Sequence, residues 1–184
     1  MLITLTFLLL TLIAVAPSLS DKDRNIFNVK LWNNYLYTEY EIEFNSFIDY
    51  LGYKESKNQW TAVNTLGYFG EWQFGYNTLK YLGYDHITLS KFKTDPSIFP
   101  RELQLKVLKE LIRVNEIHLI PYMEYIGLTI NGTIITKAGL LAGCHLGGIG
   151  SVQKYLNSYG IIDKQDKYGT KISDYIREFG LYNL

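Results

Sequence analysis

Phe44-Asn45-Ser46-Phe47-Ile48-Asp49-Tyr50-Leu51-Gly52-Tyr53-Lys54-Glu55-Ser56 sets large apolar side chains at positions 44, 47, 48 and 51. Intervals of three and four residues make the stripe of an α-helix packed along one side. Glu55 follows Leu51 by four residues, so the same helix carries a carboxylate on or near its buried face. Taking a carboxylate out of water is costly, and an acid so placed has either a partner or a task. Upstream, the helical period is clear from Glu39. Asp21 to about Thr38 is mixed, with Trp32, Tyr35 and Tyr37 among Asn and Lys, and reads as a short lead-in for which helix is one option.

Downstream the period breaks. Between Lys57 and Tyr76, Asn58, Asn64, Gly67, Gly70 and Gly75 are interleaved with Trp60, Tyr68, Phe69, Trp72 and Phe74. Turn formers mixed with large rings predict an irregular packed loop or a short hairpin. A short helix is expected from Asn77 to Leu82, ended by Gly83, and then a loop from Asp85 to Ser97. Pro100 and Glu102 open a long helix, with Leu103, Val107, Leu111 and Val114 on one side and Pro121 ending or kinking it. Asn131-Gly132 between β-prone residues is a hairpin signal. Asn131-Gly132-Thr133 also matches a glycosylation sequon, read here as a turn. Thr136 caps an apolar helix through Leu140, Leu141 and Leu146, which Gly147-Gly148-Ile149-Gly150 interrupts before Val152 to Leu156 resumes. The tail has a turn at Gly169-Thr170 and a final short helix bearing Tyr175, Ile176 and Phe179. Without repeat or linker, residues 21–184 read as a single domain, mainly α (α+β).

Composition narrows the function. Eighteen basic residues balance eighteen acidic ones, and no basic run supplies the footprint that nucleic acid needs. One cysteine excludes an internal disulfide, and three scattered histidines do not make a metal site. No cofactor, no metal and a monomer are the expectations. The heavy aromatic content, 15% of the chain, suits a sugar-stacking cleft, although most of these rings are assigned to the core. Residues 1–20 are uncharged, with an apolar centre at Leu5–Ile13 and small residues before Asp21. This is the outline of a signal peptide, so the folded part is expected in the periplasm or outside the cell. An uncleaved segment would instead be a membrane anchor, the one route to a membrane partner.

Two blocks carry a family resemblance. Glu55-Ser56, Asn64-Thr65-Leu66-Gly67-Tyr68-Phe69-Gly70 and Gln73-Phe74-Gly75 resemble the active-site stretch of lysozyme-like lytic transglycosylases. Gly139-Leu140-Leu141-Ala142-Gly143-Cys144-His145-Leu146-Gly147-Gly148-Ile149-Gly150-Ser151-Val152 resembles a second block of that superfamily, which usually has Tyr-Asn where this chain has Cys144-His145. The tail, Tyr168-Gly169-Thr170 with Asp174-Tyr175, is consistent with a subgroup. The resemblance implies a goose-type lysozyme-like helical domain with a small irregular or β element beside the cleft. It further implies cleavage of the β-1,4 bond between N-acetylmuramic acid and N-acetylglucosamine in peptidoglycan.

Such chemistry needs a proton for the departing oxygen and support for an oxocarbenium-like transition state. The resemblance makes Glu55 the general acid/base, with Ser56, Tyr68, Gln73 and His145 as substrate-binding residues. Rings of Trp60, Tyr68, Phe69 and Trp72 would wall Glu55 and hold its proton. His145 would donate to sugar or, equally, to backbone. Glu71 reads as a solvated loop charge or, less well, as a second carboxylate. Transglycosylases dispense with a second acid because the acetamido group and 6-hydroxyl of the substrate close a 1,6-anhydro ring. Cys144 reads as a small packing residue, since a Cys144–His145 nucleophile pair would diverge around the helix. The competing function is a non-catalytic wall-binding module that keeps the cleft. Chitin stays open as an alternative substrate.

Overall fold

A computed structural model describes residues 20–184. The segment read as a signal peptide lies, but for Ser20, outside the described residues. The protein is mainly helical, with one small two-stranded antiparallel sheet among the described residues. The described residues fall into two units, one ending at Ile42 and the other Glu43–Leu184.

Helix α1 spans Asp21–Ser56. Over that span the sequence has no proline and a single glycine, Gly52, so nothing stops the helix even where its apolar stripe is absent. The lead-in expected for residues 21–38 is therefore continuous helix. In the first unit its Ile26, Val29, Trp32 and Leu36 are exposed, and Trp32 meets Tyr35 edge to face at 5.8 Å. In the second unit Phe44, Phe47, Ile48 and Leu51 are buried, as their spacing predicts. Lys57 and Asn58, both at positive φ (60° and 59°), turn the chain out of the helix.

The remaining elements of the second unit follow in chain order. Helix α2 is Tyr76–Tyr81 and α3 is Leu89–Thr94. The latter replaces part of the loop expected from Asp85 to Ser97. Thr88 accepts a cap bond from Lys91 N, and Phe92 is buried to anchor the turn. Helix α4, Arg101–Leu119, begins just after Pro100 and passes into a 3-10 stretch, Ile120–Tyr125, at Pro121. Its inner face is Gln104, Val107, Leu108, Ile112, Asn115 and Leu119, so the expected stripe of Leu103, Val107, Leu111 and Val114 is rotated. The cause is Gln104, whose amide donates to Trp60 O (2.8 Å) and Phe99 O (2.7 Å) and accepts from Glu71 N (2.6 Å). Three bonds draw a polar residue into the core and carry the helix face with it.

Strands β1 (Thr129–Ile130) and β2 (Thr133–Ile134) pair Thr129 with Ile134 and Ile130 with Thr133. Asn131 and Gly132 between them have φ of 49° and 76°, the left-handed pair that a two-residue hairpin of native twist requires. Helices α5 (Lys137–Gly147), α6 (Ile149–Asn157) and α7 (Ile172–Phe179) complete the domain. Thr136 caps α5 through Gly139 N, as expected. Gly139, Gly143 and Gly147 lie on the side of α5 that faces α7, close to Ile172 and Ile176.

The approach is tightest at Gly139, where an added Cβ would stand 2.4 Å from Ile176 O. Gly139→Ala is expected to force the helices apart and lower unfolding free energy by about 1–3 kcal/mol. A urea titration checks this. A midpoint equal to the parent's would show that the two backbones separate at no cost.

Candidate active site

Glu55 sits on the last turn of α1, where the buried stripe meets solvent. Its carboxylate opens into a cleft of about 750 Å³, lined by Tyr68 and Gln73 from the irregular loop, His145 from α5, and Tyr168 and Tyr175 from the tail. The side chain of Glu55 is 16% exposed and that of His145 9%. The motif blocks, some ninety positions apart in sequence, thus line a single depression.

The loop is built to present Tyr68. Asn64 Oδ1 accepts from Leu66 N (2.9 Å) and Tyr68 N (3.0 Å), and Asn64 N donates to Tyr68 O (2.9 Å). Isolated bridges Val63–Phe69 and Phe69–Phe74 then reverse the chain. They turn the rings of Phe69 and Phe74 inward, where both pack with Phe99. Phe69 and Trp72 are fully buried, and Trp72 Nε1 donates to Ile48 O at 2.8 Å. These two rings therefore do not wall Glu55, and Trp60 is not among the cleft residues either; of the four expected, only Tyr68 lines the cleft. Gln73 stands at φ 49°, an uncommon backbone setting for a non-glycine residue. Its amide donates to Gly70 O (2.7 Å).

Tyr175 takes the place the tryptophans were given. Its hydroxyl donates to Glu55 Oε1 at 2.8 Å. Burial first, then the Glu55 charge and the hydrogen bond, push the Tyr175 phenol well above its ordinary range, so it remains a donor. His145 Nε2 lies 2.9 Å from Trp72 O and 3.8 Å from Glu55 Oε1. A carbonyl only accepts, so Nε2 carries the proton and donates to Trp72. This is the backbone bond expected as one of the two roles for His145.

Other residues divide between cleft and scaffold. Ser56 is not a lining residue. Its hydroxyl donates to Gly52 O (3.4 Å) and accepts from Gln59 N (3.0 Å), holding the chain as it leaves α1. Glu71 is neither a solvated charge nor a cleft acid. It is fully buried and paired with Arg101, Nε to Oε2 at 2.6 Å and Nη2 to Oε1 at 2.9 Å. Asp166 does line the cleft, but its Oδ1 accepts from Tyr168 N and Thr170 N, each at 2.8 Å, and folds the tail turn. Lys54, Lys164 and Lys167 add positive charge to the same walls. Cys144 is buried and its thiol is pushed up to about 12 by desolvation, the opposite of an activated nucleophile. Among the described residues no cluster of His, Cys, Asp and Glu is placed to hold a metal ion, and no helix is long and apolar enough to cross a membrane.

In the sequence, Tyr168 and Tyr175 stand out only in the tail block of the family resemblance, which gives neither of them a role at the site. Tyr175 belongs to the stripe Ile172, Tyr175, Ile176 and Phe179, which reads as core, and all four residues are buried. That its hydroxyl reaches an acid 120 positions away is a consequence of packing. No protein-family model matches the chain, and no curated protein or solved structure matches it significantly.

Proposed function

We propose that this protein is a peptidoglycan-cleaving glycosidase, a lytic transglycosylase or muramidase, in which Glu55 acts as general acid and base. What supports the reading above all is the convergence of Glu55, Tyr68, Gln73 and His145 on a cleft of about 750 Å³, a size that suits one to several sugar rings. Glu55 protonates the bridging oxygen as the glycosidic bond breaks and the sugar passes through an oxocarbenium-like state. Tyr175, donating to Oε1, fixes the carboxyl at the edge of the cleft. His145, bonded to Trp72 O, lines the cleft with its Nε2 3.8 Å from Glu55 Oε1. Asp166 is committed to backbone N–H groups, so the second half of the reaction falls to the substrate's own acetamido group and 6-hydroxyl, or to water activated by Glu55.

Digesting purified murein with the full chain and weighing the soluble products by mass spectrometry tests the reading. Disaccharide-peptides are the expected result, with 1,6-anhydro ends for a transglycosylase and reducing ends for a muramidase. Retention on murein without any soluble fragment would replace the enzyme by a wall-binding module.

A further inference from the structure

Two walls of the cleft come from distant parts of the chain. One is the irregular loop, with Asn64, Leu66, Tyr68 and Gln73; the other is the tail from Lys164 to Thr170. Glu55 and His145 lie deeper in the same cleft, their side chains 16% and 9% exposed. Tyr168, on the tail wall, is 65% exposed. Its hydroxyl meets Thr65 Oγ1 at 2.8 Å, across 103 positions of sequence. Thr65 stands between the lining residues Asn64 and Leu66 and does not itself line the cleft. A hydrogen bond between two exposed side chains, one from each wall, lies at the rim rather than on the floor. It bridges the walls on the solvent side of Glu55.

The tail wall is stiff by itself. Asp163 accepts from Ser173 N (3.1 Å) and the Ser173 hydroxyl (2.6 Å), and Ile172 N donates to Lys164 O (3.0 Å). Gln165 and Lys171 form a bridge, and Asp166 holds the turn through Tyr168 N and Thr170 N. These bonds join the tail to itself. The Thr65–Tyr168 bond instead ties the tail to another segment through one neutral, water-accessible contact, worth about fivefold in population. Such a tie opens and recloses readily while the turn behind it stays formed.

Building on the glycosidase reading, we propose that Thr65 and Tyr168 are a latch over the cleft, which opens to admit an internal stretch of a long glycan strand and recloses above it. A strand whose ends lie far outside a cleft of about 750 Å³ enters and leaves only through the open latch. A fragment of a few sugars slides out of an open end. The latch therefore retains polymer between cleavages and is indifferent to short oligosaccharides. Because it slows entry and exit alike, it acts on rates and leaves affinity nearly unchanged.

End-labelled long murein strands, and a tetrasaccharide cut from them, are mixed with full-chain Glu55→Gln and their association and dissociation rates followed by fluorescence. Adding Thr65→Val is expected to speed both entry and release of the long strand about fivefold, the scale of one neutral hydrogen bond. The tetrasaccharide keeps its rates. Thr65→Ser, which retains the hydroxyl, returns the long strand toward its original rates. Tyr168→Phe on top of Thr65→Val changes nothing further, since the shared bond is already gone. Thr65→Cys with Tyr168→Cys, joined by a short bis-maleimide, shuts out the long strand and still admits the tetrasaccharide. Unchanged rates in Thr65→Val, a change common to both lengths, long strands entering the joined protein, or no binding of either probe overturns the latch. Length-dependent rates in a parent protein that leaves murein uncut sink the glycosidase reading and keep the latch; cleavage with rates insensitive to Thr65→Val does the reverse.

Discussion

Glu55→Gln is expected to lower the rate of murein solubilisation by about a thousandfold, the scale of losing one positioned general acid. The substitution is close to isosteric. The Gln amide keeps an oxygen for the Tyr175 hydroxyl, which now meets Glu55 Oε1 at 2.8 Å. What it cannot do is deliver a proton to a departing oxygen. Since the side chain lies at a cleft edge and is 16% exposed, thermal unfolding should move little, and a matched melting curve separates lost chemistry from lost fold. A variant that keeps full activity would remove Glu55 from the mechanism. Suspicion would then fall on Asp166, the other acid lining the cleft, whose use would require the tail turn held by Tyr168 N and Thr170 N to open.

Where local pattern and tertiary burial agree, the fold was legible. The stripe Phe44, Phe47, Ile48 and Leu51, the Asn131-Gly132 turn and the Thr136 cap all stand in the structure because each depends on residues a few positions apart. One misreading has its origin in long-range polar contacts. The inward face of α4 is set by Gln104, whose partners Trp60 and Glu71 lie more than thirty positions upstream. No count of apolar spacings along α4 anticipates that. The interior glycines of α5 stand in the second motif block without an assigned role, and Gly139 and Gly143 face α7, where their missing Cβ atoms admit Ile176. At the site, Glu55, Tyr68, Gln73 and His145 were named from motif and position, and the structure brings them to one cleft. Tyr175 stands in the tail block but receives no role at the site there, because a ring in an apolar stripe announces burial and says nothing of where its hydroxyl ends.

Arg101→Ala is expected to cost about 2–3 kcal/mol of unfolding free energy, read from urea denaturation. Removing one member of a buried ion pair typically costs ~3–5 kcal/mol because a charge is stranded. The lower end applies here because the Arg101 side chain is 46% exposed, so water can follow it into the space it leaves. Glu71 has no such recourse. It is fully buried between Gln104, which accepts from its backbone N–H, and α1, where a Cβ on Gly52 would stand 3.1 Å from both Glu71 Oε1 and Trp72 Nε1. The asymmetry makes the prediction sharp. Glu71→Gln should cost less, about 1 kcal/mol, since Arg101 can turn to solvent and to Asp49, 3.9 Å away. The double variant should fall nearer to Glu71→Gln than to Arg101→Ala. Equal costs for the two single changes would mean that the pair acts as a surface bridge and that the burial of Glu71 is not what holds the loop. The effect also reaches the cleft, for Glu71 precedes Trp72, whose carbonyl accepts from His145. Murein turnover in Arg101→Ala should therefore fall even at temperatures where the protein stays folded, as the wall of the cleft beside Glu55 loses the clasp behind it.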